Sequence, residues 1–257
     1  MRPTLPAAFL NIPIAHRALH DVADGRPENS RAAIRSAIAA GYGIEIDLQL
    51  TSDGQAMVFH DDILDRLTGA SGPVKALSHS QARAVPLRGG VDEGIPDLAE
   101  VLELVDGQVP LLIEVKDQDG LMGPDVGALE QAAVDALRSY GGLVALMSFN
   151  PHSVAELARL APHLPRGITT SAYDPTEWPE LTPAICDHLR DIPDFEGAQA
   201  CFISHEAYDL TRPRVQSLRD SGVPVLSWTI TSAAEEAAAR AFADNVTFEG
   251  YLSNLPG

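Results

Sequence analysis

The chain has 257 residues, a length that fits either one large α/β barrel or two small domains. Its formal net charge is −18 at pH 7, and a field of that sign repels polyanions, which excludes nucleic acid and anionic membrane surfaces as partners. No apolar run approaches the roughly 20 residues that a membrane-spanning helix needs, so that class of protein is excluded as well.

Strand-like apolar segments alternate with helical segments along most of the chain. In the clearest helix, over residues 30–40, either Asn29 or Ser30 can provide the N-cap. Gly41 marks the end of that helix. Strands that alternate with helices predict a parallel sheet, and eight strands favour one (β/α)8 TIM-type barrel domain over residues 1–257. The predicted strands are 12–16, 43–48, 56–60, 111–115, 143–148, 167–170, 200–204 and 223–228, and the other helices are 98–105, 125–139, 153–160, 211–221 and 233–243.

The predicted barrel is distorted in two places. Only nine residues separate Asp47 from Met57, and they include the turn sequence TSDG, whereas parallel strands need a crossover of about a dozen residues or more. We therefore expect no helix between the second and third strands, with residues 49–52 running back outside the barrel. The segment 61–109 is a longer insertion between the third and fourth strands, and we expect it to hold small helices and part of a lid.

Two pairs of charged residues lie inside apolar strands. Glu45 and Asp47 are two residues apart, as are Glu114 and Lys116, so each pair points to one face of its strand. Near the carboxyl end of a barrel that face can look into an active site. The three carboxylates suit one hard divalent cation, Mg²⁺ or Ca²⁺, with Mn²⁺ as a further candidate. The alternative is that Glu114 pairs with Lys116 while the other two carboxylates are solvated at a strand end.

Two histidines at strand ends are candidates for proton transfer. His16 and His60 can act as general acid and base because an imidazole titrates near neutral pH. The other six histidines are interpreted as structural hydrogen-bonders, although His152 and His205 also follow predicted strands. Which of the two candidates is the acid and which the base is open.

Cations near these residues can bind an anion. Arg17 offers a planar fork of donors to phosphate oxygens, and Lys116 adds a second positive charge. With a divalent cation these charges outweigh the three carboxylates, so an acidic protein surface is compatible with a mildly positive pocket.

Four further residues are candidates for a supporting role or for the pocket wall. Glu28 can form a salt bridge to Arg17, and Asn29 can support the site or cap the following helix. Asp61 either orients the imidazole beside it or ends the strand. Trp228 either walls the pocket or packs at a strand end.

An ordered set of motifs supports these assignments. The segments AHRA, PENS, EIDLQLTSDGQAMVFHDD and IEVK resemble the pattern HRG, ENT, ExD, TxDG, HD and ExK of the glycerophosphodiester phosphodiesterase family, a TIM-barrel phosphodiesterase family. MSFNP and LSWTI are similar to the later strands of that family. One departure is Ala18, which stands where the family has glycine.

The resemblance implies metal-dependent hydrolysis of a small glycerophosphodiester to glycerol 3-phosphate and an alcohol. It also implies that the 2-hydroxyl of the substrate attacks first, giving a cyclic phosphate that water then opens. The alternatives are a phospholipase-like or sphingomyelinase D-like phosphodiesterase, or a catalytically impaired protein that binds phosphodiesters, which Ala18 suggests. The sequence does not specify the head-group alcohol or the oligomeric state.

The N-terminus predicts a cytoplasmic protein without stable membrane association. Its short apolar patch is a poor secretory signal, and cleavage at an ordinary signal-peptide length would remove His16. The two cysteines, Cys186 and Cys201, match no metal or redox spacing, which fits a reducing compartment.

Overall fold

The computed structural model describes residues 2–256, and its central feature is a closed parallel β-barrel. Within that range the chain forms nine strands, of which eight make up the barrel in the order β1-β2-β4-β5-β6-β7-β8-β9, with β9 returning to β1. The strands are β1 (Ile14–Ala15), β2 (Gly43–Leu50), β3 (Ala56–Val58), β4 (Leu111–Val115), β5 (Val144–Ser148), β6 (Arg166–Thr170), β7 (Phe202–Glu206), β8 (Val225–Ile230) and β9 (Asn245–Phe248).

The barrel confirms the predicted TIM-type fold but corrects the identity of one strand. The predicted strand 56–60 is not part of the barrel, because β3 pairs antiparallel with β2 as the outer arm of a hairpin. The connection is too short for a parallel crossover, and a hairpin is the arrangement that it allows. The eighth barrel strand is instead β9, which was not predicted. It is only four residues long and begins with Asn245, whose buried amide donates to the carbonyls of Phe9 and Ile12.

Helices cover the outside of the barrel. All six predicted helices are present, five of them with ends shifted by a few residues. α3 is one of the small helices expected in the insertion, whereas α1 and α7 were not predicted. The helices are α1 (Ala8–Asn11), α2 (Arg31–Ala40), α3 (His79–Arg83), α4 (Leu98–Val105), α5 (Ala128–Leu137), α6 (Pro151–Leu160), α7 (Pro183–Arg190), α8 (Pro213–Asp220) and α9 (Ala233–Ala239). No helix between residues 2 and 256 is both long and apolar enough to cross a membrane.

The ends of α2 follow from local chemistry. Ser30 is the N-cap, since its hydroxyl accepts a hydrogen bond from the backbone N–H of Ala33. Gly41 ends the helix with φ of +79°, a left-handed conformation that glycine adopts without a steric penalty. These two residues fix where the chain enters β2, the strand that carries Glu45 and Asp47.

Two apolar cores leave one end of the barrel interior polar. The larger core lies between the strands and the surrounding helices. A smaller core fills the end of the barrel where the strands begin, and it includes Phe9, Leu112, Phe202 and Leu226. The other end of the interior carries polar and charged side chains, as expected for the carboxyl ends of the strands in this fold.

The insertion between β3 and α4 forms a small core of its own. Met57, Phe59, Leu64, Val74 and Leu87 are among its buried members. The segment contains α3 and a short 3₁₀ helix, as predicted for the insertion. Its first residues, 61–63, border the polar end of the barrel.

Candidate active site

Three carboxylates lie close together at the polar end of the barrel interior. Glu45 and Asp47 lie on β2, and Glu114 on β4 is in register with Asp47. One oxygen atom from each lies within 4.8 Å of the others. Their relative exposures are 1%, 1% and 5%, so the alternative of solvated carboxylates at a strand end is wrong.

Two cations partly balance these carboxylates. Lys116 Nζ lies 2.8 Å from Asp47 Oδ1 and 2.5 Å from Glu114 Oε1, so the predicted pairing of Lys116 with Glu114 is present. Arg17 Nε lies 3.7 Å from Asp47 Oδ2. Burial opposes the ionisation of Asp47, but the charges of Lys116, His60 and Arg17 outweigh it and lower its pKa.

Glu45 carries the surplus negative charge of the cluster. Burial raises its pKa well above the ordinary value, and the charges of Asp47 and Glu114 raise it further. One opposing contact comes from the backbone N–H of Arg17, which donates to Glu45 Oε2 at 2.8 Å.

The donor set fits a hard divalent cation. All three groups offer oxygen, the ligand that Mg²⁺ and Ca²⁺ prefer. Glu45 Oε1 and Glu114 Oε2 accept no hydrogen bond from residues 2–256, and both remain available as ligands. A divalent charge would also offset the repulsion that raises the pKa of Glu45.

His16 is held by the carboxylate of the residue that follows the last strand. Its Nδ1 lies 2.6 Å from Glu249 Oε2, and Glu249 also lies 3.4 Å from His20 Nε2. Burial lowers the pKa of His16, while the hydrogen bond to Glu249 opposes that shift. Glu249 was not predicted as part of the site, and His20 was interpreted as a structural hydrogen-bonder. The local signal is the alternation of apolar Val246 and Phe248 around Thr247, directly before Glu249, and this short segment was not recognised as a strand.

His60 is held in a similar way. Its Nδ1 lies 2.7 Å from Asp61 Oδ1, and Arg66 Nε donates to Asp61 Oδ2 at 2.7 Å. Gln49 Nε2 donates to the carbonyl of His60 at 3.0 Å. Asp61 therefore orients the neighbouring imidazole, one of the two roles considered for it. Gln49 and Arg66 were not predicted as part of the site.

A network behind the cavity supports Arg17 and Asp47. Glu28 accepts from Arg17 Nη1 at 2.8 Å and also binds Arg66, so the predicted salt bridge is present with an additional partner. Asn29 Nδ2 donates to Asp47 Oδ2 at 2.9 Å. Asn29 is not the cap of α2, because that position belongs to Ser30, and its amide is directed to the carboxylate instead.

The turn after β1 forms with alanine in place of glycine. Arg17 and Ala18 have φ of +50° and +64°, a left-handed conformation that is strained for residues with a side chain. The turn directs the N–H groups of both residues to Glu45, since Ala18 N donates to the carbonyl of Glu45 at 3.0 Å. His16 keeps its contact with Glu249 beside this turn.

A cavity of about 640 Å³ opens above these residues. The structure brings eight of the predicted site residues to its walls, while Asp47, Glu28 and Asn29 lie behind them. His152 and His205 are not among its lining residues, and burial lowers the pKa of His205 to about 4. The predicted residues that line the cavity are His16, Arg17, Glu45, His60, Asp61, Glu114, Lys116 and Trp228.

One wall of the cavity was largely unforeseen. Phe149 follows β5, Trp178 lies in the loop after β6, and both join Trp228 in lining the cavity. Glu180 lies two residues beyond Trp178 and also faces the cavity. The aromatic residues give no distinctive sequence signal, because such side chains are equally typical of an apolar core.

Comparison with known proteins points to one family. A model of the glycerophosphoryl diester phosphodiesterase family matches residues 16–247. A glycerophosphodiester phosphodiesterase of Caldanaerobacter subterraneus subsp. tengcongensis is 34% identical over 152 residues, which is 55% of this chain and 60% of that protein. An uncharacterized Bacillus subtilis protein is 33% identical over 167 residues, 59% of this chain and 65% of its own. The chain thus aligns with less than two thirds of the length of either relative.

Solved structures share the fold. An Oleispira antarctica phosphodiesterase in complex with the product sn-glycerol-3-phosphate has a TM-score of 0.75 at 24% identity, covering 93% of each chain. A glycerophosphodiester phosphodiesterase of Thermotoga maritima has a TM-score of 0.68 at 21% identity, covering 93% of this chain and 94% of its own. At these identities the likeness establishes the barrel architecture.

Proposed function

The chain belongs to the glycerophosphoryl diester phosphodiesterase family, and from that premise we propose that it hydrolyses glycerophosphodiesters to glycerol 3-phosphate and an alcohol. The observation that carries the proposal is the meeting of three buried carboxylates, two cations and two imidazoles in, or directly behind, the wall of one cavity. The product complex of the Oleispira antarctica relative supports the same substrate class.

In this proposal Glu45, Asp47 and Glu114 hold one divalent cation, with Mg²⁺, Ca²⁺ and Mn²⁺ as the candidates. The bound ion would supply charge neutralisation next to the phosphate. Arg17 and Lys116 add positive charge on the same side of the cavity, and the planar guanidinium of Arg17 suits two phosphate oxygens.

His16 and His60 perform the proton transfers. Each imidazole is tied through Nδ1 to a carboxylate, Glu249 or Asp61, and has no hydrogen bond at Nε2 within residues 2–256. Nε2 is therefore the nitrogen available to the substrate. One imidazole accepts the proton of the substrate's 2-hydroxyl as that oxygen attacks phosphorus, and the other donates a proton to the oxygen of the departing alcohol. The two imidazoles then exchange roles: one accepts a proton from the water that opens the cyclic phosphate, and the other returns a proton to the 2-oxygen, which releases glycerol 3-phosphate.

A coupled assay of glycerol 3-phosphate release tests the proposal. The protein is incubated with a panel of glycerophosphodiesters in Mg²⁺, Ca²⁺, Mn²⁺ or EDTA. We expect release with at least one divalent ion and its loss in EDTA. Absence of release from every ester with every ion would overturn the proposal and favour the phosphodiester-binding alternative.

Substitution of the histidines tests their roles. His16→Ala and His60→Ala are each expected to lower kcat on the order of a hundredfold to ten-thousandfold. The double variant should lose little more, because both act in one reaction step. His163→Ala is a matched control, since this imidazole is exposed and lies outside the cavity. Near-normal kcat in either single variant, with folding verified by circular dichroism, would remove that histidine from the mechanism.

A further inference from the structure

The cavity has two chemically different sides. The charged side is built on β1, β2 and β4 and includes Arg17, Lys116 and Glu114. In the barrel order, β5, β6 and β8 form the opposite arc, and the aromatic residues Phe149, Trp178 and Trp228 come from that arc. We call these three side chains the aromatic wall. A phosphodiester bound at the charged side would direct one of its two ester arms toward this wall.

The rings of the aromatic wall contact one another. The ring centroids of Phe149 and Trp228 lie 5.4 Å apart in an edge-to-face arrangement, and those of Phe149 and Trp178 lie 5.2 Å apart. Trp228 Nε1 donates to the carbonyl of Ser204 at 2.9 Å, and Tyr173 packs against Trp178 at 5.2 Å. These contacts restrain the rings, and the faces of such rings attract cations.

Negative charge accompanies the aromatic wall. Glu180 lines the cavity and has no ion-pair partner within 4 Å between residues 2 and 256. The lysine and arginine that line the cavity, Lys116 and Arg17, stand on the other side and are engaged by Asp47, Glu114 and Glu28.

We infer that the aromatic wall, with Glu180, binds a positively charged head-group alcohol, and that the preferred substrate is a glycerophosphodiester whose alcohol carries a quaternary ammonium. The inference rests on the proposed function, since it assigns one arm of that substrate. A ring face and an uncompensated carboxylate both attract a cation. They repel an anionic head group.

A pair of esters with the same shape isolates the charge. The choline ester of glycerol 3-phosphate carries a quaternary nitrogen, and its 3,3-dimethylbutyl ester has a neutral carbon at the same position. We expect kcat/KM for the choline ester to be higher by roughly threefold to thirtyfold, the range that cation–π contacts support. Equal kcat/KM for the two esters, or a preference for the neutral one, would overturn the inference while leaving the proposed function intact.

Substitutions test which side chains cause the preference for the choline ester. Trp178→Leu and Glu180→Gln should each lower kcat/KM for the choline ester several-fold, with little change for the dimethylbutyl ester, and Trp178→Phe should restore part of the difference. Glu177→Gln is the matched control, because Glu177 is in the same loop but does not line the cavity. Loss with both esters alike would show a general effect on the site and contradict the inference.

A binding measurement separates this inference from the proposed function. The chain has two tryptophans, Trp178 and Trp228, and both belong to the aromatic wall. Choline should therefore change the intrinsic fluorescence saturably, while 3,3-dimethylbutanol binds more weakly, whether or not any ester is hydrolysed. A protein that hydrolyses neither ester but binds choline in this way would retain the subsite and lose the proposed activity. Absence of saturable choline binding in a protein that hydrolyses both esters equally would reject the subsite alone.

Discussion

At the scale of single residues, Glu45 links the folding stability of the protein to the proposed metal site. Its carboxylate is buried beside Asp47 and Glu114, and burial together with those charges raises its pKa. A carboxyl whose pKa is raised by folding binds its proton more tightly in the folded state. The metal-free protein should therefore lose stability as the pH rises above about 4.3, the ordinary pKa of glutamate. The negative charge of Glu45 that destabilises the metal-free protein is also a charge that would attract a divalent cation.

Glu45→Gln is expected to stabilise the metal-free protein at pH 7 and to weaken metal binding at least about tenfold. The neutral amide oxygen can still accept the hydrogen bond from Arg17 N, so the repulsion is removed without loss of that contact. Thermal unfolding with EDTA and with Mg²⁺ or Ca²⁺ measures both effects. Glu103→Gln, an exposed residue, is the control. A lower melting temperature in EDTA for Glu45→Gln would contradict the assignment of surplus charge.

Glu249→Gln is expected to move one limb of the pH profile of kcat to lower pH. Burial lowers the pKa of His16, Arg17 lowers it further, and Glu249 and Asp47 raise it. Removal of the Glu249 charge lowers the pKa of His16, which shifts its limb to lower pH whether His16 is the acid or the base.

The conservative variant Glu249→Asp keeps the charge and should restore part of the shift. His20→Asn, which removes the weaker 3.4 Å contact, should have a smaller effect. An unchanged pH profile in Glu249→Gln would limit Glu249 to a packing role.

At the scale of elements, the β2–β3 hairpin explains how His60 reaches the site. The turn after β2 reverses the chain within a few residues, with Gly54 N donating to the carbonyl of Thr51. Gly54 has φ of +78°, and no atom lies within 4 Å of the position that a Cβ would take there. After the hairpin, the backbone N–H of Phe59 donates a hydrogen bond to the carbonyl of Asp47. This contact places the next residue, His60, beside the carboxylate cluster.

Gly54→Ala is expected to destabilise the protein by about 1–2 kcal/mol, through backbone strain alone. Gly69→Ala is a matched control, because Gly69 also has free space around its Cβ position but no left-handed φ. That control should be neutral or stabilising by up to about 1 kcal/mol. Denaturant unfolding measures both values, and equal effects of the two substitutions would contradict the role of the turn conformation.

At the scale of the whole molecule, the barrel closes through strands from opposite ends of the chain. β1 pairs with β9 on one side and with β2 on the other. His16 follows β1 and Glu249 follows β9, so the pairing of these two strands that closes the barrel also brings His16 into contact with Glu249. Stability of the barrel and geometry of the site are therefore expected to change together.

The prediction of a single domain over residues 1–257 implies one cooperative unfolding transition. Calorimetric and van't Hoff enthalpies should agree, and far-ultraviolet circular dichroism and tryptophan fluorescence should give the same midpoint. Two separated transitions, with the insertion between β3 and α4 unfolding first, would show that its small core is an independent unit.

The sequence by itself determined the residue types and their faces. Same-face spacing in β2 and β4 identified Glu45, Asp47, Glu114 and Lys116, because side chains two apart on a strand point the same way. The alternation of strands and helices gave the barrel, and the order of the motifs gave the family.

Only the tertiary structure decided which strand ends become neighbours. Glu249 meets His16 across 233 residues of chain, and no local pattern encodes that contact. The antiparallel placement of β3 and the aromatic wall likewise depend on closure. The physical reason is that periodicity records which face of an element is buried, whereas the partner on that face is set by the packing of distant segments.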